Sequence, residues 1–131
     1  IFNYAGHRSN EMLRGNLLTN NDAARLTNAR LPIFVMMTCL NSYFQTPDGS
    51  SLAEALLVQA RGGAVAVWAS SGLTESHGQA QMNQELYRQL FSAPGIQPKL
   101  GEAVLKAKLA TTTSDVRSTW ILFGDPSLRV K

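Results

Sequence analysis

The chain has a single cysteine, Cys39. That excludes an internal disulfide and a zinc site built on several thiolates. Long hydrophobic runs are missing too. Stretches such as Ile33–Met37 fall far short of the ~20 apolar residues that a membrane span needs. Charge of one sign is scarce: 12 Lys and Arg against 9 Asp and Glu leave +3. The basic residues are scattered, so no phosphate-binding face is expected and nucleic acid is not an expected partner. Glycine-rich phosphate signatures are absent. Glu11, Asp22 and Asp115 are too separated to read as a paired-carboxylate acid/base site. With one Cys and two distant histidines, Met36 and Met37 read as core filler rather than a soft-metal site, and neither metal nor cofactor is expected. No initiator Met, charged n-region or signal-peptide core stands at the start. Residue 1 already lies in an apolar stretch, so the expectation is the C-terminal portion of a larger domain, whose remaining N-terminal part supplies partners for the first strand.

What is present is enough for one real core. The 131 residues are 44% hydrophobic, which excludes a disordered chain and suits one domain at most. Residues 1–5 read as a short strand ending at Gly6-His7, and residues 9–20 as a loop. Asn21 or Asp22 is expected to cap a short helix through about Leu26, stopped before Pro32. Ile33–Met37 is continuously apolar and reads as a strand buried on both faces, ending at Thr38-Cys39. Pro47-Asp48-Gly49 is a turn. Ser50 or Ser51 caps the next helix, with Glu54 completing a capping box on Ser51. Its stripe is Leu52, Ala55, Leu56 and Val58 or Gln59, and Gly62-Gly63 ends it.

Residues 64–69 are a third buried strand, with Trp68 in the core, followed by Ser70-Ser71-Gly72. His77 is expected on a plain surface loop. Residues 79–90 form a helix with Met82, Leu86 (or Tyr87) and Leu90 on one face, and a break runs from Pro94 to Pro98. Residues 100–109 form another, with Ala103, Val104 and Ala107 inward and Lys106 and Lys108 outward. A last strand at 119–123 leads into a turn shaped by Asp125 and a short edge at 128–130. The alternation predicts an α/β domain with a mostly parallel sheet and right-handed crossovers.

In open parallel sheets the functional crevice lies beyond the carboxyl ends of the strands. Three strands here end in polar clusters: Gly6-His7, Thr38-Cys39 and Ser70-Ser71-Gly72. Neighbouring strands lie ~4.8 Å apart, so if the first two are adjacent, His7 and Cys39 rise from one edge. A thiol with a pKa of about 8.5 needs help near neutral pH, and a nearby His can take its proton and later return one to a leaving amine. Composition and periodicity alone leave both readings open. A lone Cys at a strand end is also a common buried small apolar residue, and a lone His a common hydrogen-bonded structural one.

The wording of the segments adds to this. Asn3-Tyr4-Ala5-Gly6-His7 comes first, then Arg30-Leu31-Pro32 and an apolar run into Thr38-Cys39-Leu40-Asn41. Ser51-Leu52-Ala53-Glu54-Ala55, Gly62-Gly63-Ala64-Val65-Ala66-Val67 and Phe123-Gly124-Asp125-Pro126-Ser127-Leu128 follow. This order resembles the gingipain-like cysteine peptidases, family C25 of the caspase-like clan, over nearly the whole chain. The resemblance implies a caspase-like α/β sandwich, of which residues 1–131 are the C-terminal portion. It implies a bacterial cysteine endopeptidase, secreted or at the cell surface, acting on peptide or protein substrates. His7 matches the family's catalytic histidine and Cys39 its nucleophile, with backbone N–H groups of Arg8 and Cys39 as oxyanion donors. Ser70, Ser71 and Thr74 fall where the family builds part of its P1 pocket. Arg8 stands where the family usually has Gly after the histidine, and Ser42 where a Gly commonly follows Cys-x-Asn. These departures motivate an alternative, an inactive pseudo-peptidase or interaction domain of the same fold.

Overall fold

The computed structural model describes residues 1–47, 49–91 and 95–130, and of Arg8 and Ser9 the backbone only. In chain order the elements are β1 (Phe2–Ala5), β2 (Arg8–Ser9), β3 (Met12–Leu13), α1 (Asn20–Ala23), β4 (Ile33–Met37), α2 (Leu52–Leu57), β5 (Ala66–Ser70), α3 (Ser76–Phe91), α4 (Leu100–Ala110), α5 (Ser114–Thr119) and β6 (Trp120–Gly124). The main sheet has the order β1-β4-β5-β6. Its first three strands are mutually parallel, as the alternation requires, and β6 closes the edge antiparallel to β5.

Period-2 alternation divides the sheet between two cores, because successive strand side chains point to opposite faces. Ile33, Val35, Met37, Ala66 and Trp68 pack with Met82, Leu86 and Leu90 of α3 and Leu100, Ala103, Val104 and Ala107 of α4. Phe34, Met36, Val67 and Ala69 pack on the other face with Leu52, Ala53 and Leu56 of α2 and with Leu13. Helices therefore cover both faces, which explains why β4 and β5 are buried throughout and why β4 is apolar along its whole length. Trp68 and Trp120, both fully buried, meet edge-on at 4.9 Å between ring centroids and lock β5 to β6.

The local signals at 51–54 hold: Ser51 and Glu54 form the capping box, Ser51 N–H donating to Glu54 Oε2 at 2.8 Å. Other expectations need correction. The stretch 9–20 is not all loop: β2 and β3 pair antiparallel, and Arg14–Asn16 form a 3-10 turn. The short helix is capped by Thr19, with Asp22 at its third position reaching back to the Thr19 N–H at 2.9 Å, and it ends at Ala23. α2 stops at Leu57, well before Gly62-Gly63, leaving Val58 76% exposed rather than on the inner stripe. α3 begins at Ser76, so His77 lies in its first turn. α5 was not expected, because its only buried residue is Val116 and no apolar periodicity marks it. Lys108 does not simply point outward: its Nζ donates to the Trp120 carbonyl at 2.8 Å, and burial lowers its pKa. At 128–130 the contact is a single antiparallel bridge, Lys99 with Arg129. Asp48 of the expected Pro47 turn and Pro94 of the expected break lie outside the described residues. Among the described residues no helix is long and apolar enough to cross a membrane.

Candidate active site

β1 and β4 are hydrogen-bonded neighbours in parallel register, with Ala5 opposite Met37. His7 and Cys39 each stand two residues further on, past the carboxyl ends of their strands. Gly6 N–H donates to the Met37 carbonyl at 3.2 Å and carries the ladder to the brink of the cleft. Both residues line one cavity of about 390 Å³, shared with Thr38, Thr74, Gln79 and Asn83. Among the described lining residues there is no Asp, Glu, Lys or Arg. Ala5, Met37 and Ala80 supply apolar wall.

The two turns are held differently. His7 is exposed, but its carbonyl accepts the Tyr4 hydroxyl at 3.2 Å, and Tyr4 Oη accepts the Arg14 N–H at 3.3 Å. That ties the His7 turn to the segment after β3. Cys39 is half-buried, and its thiol donates to the Thr74 carbonyl at 3.3 Å. The buried Thr38 hydroxyl sits 3.1 Å from the Cys39 carbonyl and 3.2 Å from Asn41 Oδ1. Leu40 has φ of +58°, a conformation that costs a residue with a side chain roughly 1–2 kcal/mol. The surroundings enforce it: Leu40 N–H donates to Gly72 O at 3.2 Å and Ser42 N–H to Ser70 O at 3.1 Å. Among the described residues, no hydrogen bond engages the Cys39 N–H.

Of the three polar residues expected in a pocket, only Thr74 lines the cavity. Ser70 and Ser71 are buried and turned toward α5. Ser70 Oγ lies 3.0 Å from Thr119 Oγ1, and Ser71 Oγ donates to the Thr119 carbonyl at 2.9 Å. Their hydroxyls tie the end of β5 to Thr119, the residue before β6. Ser42 is fully buried, and its hydroxyl has no partner among the described residues. His77 is exposed, and its ring nitrogen lies 3.2 Å from Gln81 Nε2. Asp125 shapes its turn as expected, accepting the Ser127 N–H at 2.8 Å. Residues that sequence reasoning missed include Gln79 and Asn83, while it places Thr38 at its strand end without a role. For Gln79 a signal existed: it falls on the inward stripe with Met82, Leu86 and Leu90, a polar side chain at a core position. Among the described residues, no group of three or more His, Cys, Asp or Glu could hold a metal ion.

The family model for peptidase family C25 matches residues 1–131. The chain belongs to peptidase family C25. The search of curated proteins found no match. Among solved structures, this C25 chain is similar to the Arg-specific cysteine proteinase gingipain R, with a TM-score of 0.87 and 27% identity over 98% of its length and 33% of that chain. It is also similar to the complex of Porphyromonas gingivalis RgpB pro- and mature domains, with a TM-score of 0.84 and 25% identity over 98% of this chain and 33% of that one. A third structure, of a protease, shares the fold at a TM-score of 0.83 and 16% identity, over 97% of this chain and 34% of that one. The C25 chain thus spans about a third of the length of these structures. The caspase-like sandwich expected from its wording is the fold it has.

Proposed function

We propose that the protein containing these residues is a cysteine endopeptidase whose nucleophile is Cys39 and whose general acid/base is His7. The observation that carries this reading is their convergence from adjacent parallel strands on one cleft, whose described lining residues include no Asp, Glu, Lys or Arg. His7 accepts the thiol proton, and the Cys39 sulfur attacks the scissile carbonyl carbon. The carbonyl electron pair moves onto oxygen, where the N–H groups of Cys39 and Arg8 are the oxyanion donors. Collapse of that intermediate breaks the C–N bond, and the departing amine takes the proton from His7. Water, deprotonated by His7, then hydrolyses the thioester and regenerates the thiol. Thr74, on the cleft wall, is the substrate-binding member of the set.

Residues 1–131 form part of one peptidase domain, whose preceding portion adds to the sheet beside β1. The edge position of β1, with Ile1 and Phe2 exposed, supports that partner, as does the greater length of the matched structures. The solved complex of RgpB pro- and mature domains supports a pro-domain as a further partner. The gingipain likeness supports a secreted or cell-surface location in a bacterium.

The test is hydrolysis of a peptide library by the full-length protein, with Cys39→Ala as control. Turnover that vanishes in the control supports the reading, and equal turnover in both overturns it. A second reading, an inactive binding protein of the same fold, is favoured by Arg8, which stands in place of the family's usual Gly. Activity that appears only in Arg8→Gly would establish that second reading. A several-fold rise from an active parent means that Arg8 tunes the site.

A further inference from the structure

The contact that sets the direction of the Cys39 thiol comes from a loop, and a helix holds that loop. Cys39 Sγ–H donates to the Thr74 carbonyl at 3.3 Å, across a sequence separation of 35 residues. Thr74 is itself gripped by one side chain. Gln79 Nε2 donates to Thr74 Oγ1 at 2.7 Å and to Thr74 O at 3.3 Å. A carboxamide nitrogen carries two N–H donors and a carbonyl oxygen two lone pairs. The Thr74 oxygen can therefore serve Gln79 and the thiol together. The opposite amide orientation would set two carbonyl oxygens against each other, so the chemistry of the contact fixes which way Gln79 points.

Gln79 is only 6% exposed, on a 16-residue helix seated on the sheet by Met82, Leu86 and Leu90. The same sheet carries Cys39 at the end of β4. Gln79 thus links the loop to the rigid frame that bears the nucleophile. Glu75 pins the other side of the loop through its bond from the Gly78 N–H at 2.9 Å. Burying a carboxamide at a core position is costly unless its hydrogen bonds are made, and both donors go to Thr74.

We propose that Gln79 is a positioning residue for Cys39, fixing the Thr74 carbonyl that orients the thiol in the cleft; this rests on Cys39 acting as the nucleophile. Gln79 touches no reacting atom in this scheme and acts through Thr74. The shorter of its two bonds goes to Thr74 Oγ1, so loss of either partner releases the loop. A released carbonyl leaves the sulfur without the partner that holds it against the loop, so it is more open to small reagents while it is no longer held at its attack position. Small-reagent reactivity and catalysis then move in opposite directions.

The test uses the full-length protein with Gln79→Met, Thr74→Val, Thr74→Ser and the Gln79→Met/Thr74→Val double variant. Peptide turnover is read alongside iodoacetamide alkylation of Cys39, followed by mass spectrometry of its peptide at pH 7. For Gln79→Met the expected result is a kcat loss of about 10–100-fold with KM within about twofold. Alkylation should rise several-fold while the melting temperature stays within a few degrees. Thr74→Val should show the same kcat loss and the same rise in alkylation, with KM free to change because Thr74 also lines the cleft, and it decides the matter if Gln79→Met does not fold. Thr74→Ser, keeping the hydroxyl, should retain several-fold more kcat than Thr74→Val. The double variant should be no worse than either single one, because both remove the same interaction. Unchanged kcat and alkylation in Gln79→Met, additive losses in the double variant, or Thr74→Ser as impaired as Thr74→Val would each overturn the proposal. If Cys39→Ala leaves turnover intact, the nucleophile reading fails, and the alkylation comparison alone then decides whether Gln79 holds the thiol.

Discussion

Gly78 sits inside the first turns of α3, where exchange to alanine ordinarily stabilises a helix by about 0.8–1.0 kcal/mol. The tertiary contact reverses that sign. A Cβ at position 78 would lie 2.6 Å from Thr113 Oγ1, 2.8 Å from Thr113 Cβ and 3.0 Å from Thr111 Oγ1. Thr113 is β-branched and stiff at its first torsion, so it has no cheap way to yield. Its hydroxyl is also bonded to Glu75 Oε1 at 3.2 Å, the carboxylate that accepts the Gly78 N–H. Overpacking of this kind costs about 1–3 kcal/mol. With backbone-proximal atoms in the way the upper half of that range applies, and Gly78→Ala should lose about 1–2 kcal/mol net. Urea unfolding of the full-length protein measures it, with Thr113→Ala and the double variant completing a cycle. Thr113→Ala removes the nearest clashing atom, so the double variant should be less unstable than the sum of the singles by roughly 1 kcal/mol. A raised unfolding midpoint in Gly78→Ala, or strict additivity, would refute the reasoning.

Ser51→Ala removes a buried cap whose hydroxyl accepts the Glu54 N–H at 3.3 Å, and should cost about 1 kcal/mol by denaturant unfolding. Trp120→Ala opens a cavity beside Trp68 and should cost about 3–5 kcal/mol, enough to leave a domain of ordinary stability marginal at 37 °C in a thermal scan. Hydrogen bonds from Thr19, Arg88 and Ser127 hold the carboxyls of Asp22, Glu85 and Asp125 below their ordinary values. The folded state then binds fewer protons than the unfolded one in acid. Their contribution is present above the ordinary carboxylate range of about pH 4 and is lost as pH falls through the lowered folded values. Urea midpoints between pH 6 and pH 2 should show that fall, and Asp22→Asn should flatten part of it.

Much of the scaffold was legible because its signals are local. β4 occupies the residues of one uninterrupted apolar run, and the Ser51–Glu54 box is a contact between residues three apart. The buried faces of α3 and α4 follow from spacing at 3.6 residues per turn. The placement of His7 and Cys39 past strand ends was legible for the same reason, together with a wording that matches family C25 over residues 1–131.

What the sequence determined by itself is the principal strands and helices, their apolar faces, and the place of His7 and Cys39 past strand ends. Only the tertiary structure decided their relations. It made β1 and β4 neighbours, set β6 antiparallel, and formed a two-residue hairpin too short to carry a periodic signal. It turned Ser70 toward Thr119, 49 residues away, and gave Thr74 and Gln79 their places around the thiol. The physical reason is range. Hydrophobic period and capping act between residues a turn apart and leave a mark in the sequence, whereas a hydroxyl or carboxamide chooses its partner only after packing has brought distant segments together. The chemistry of this site is written in those late contacts.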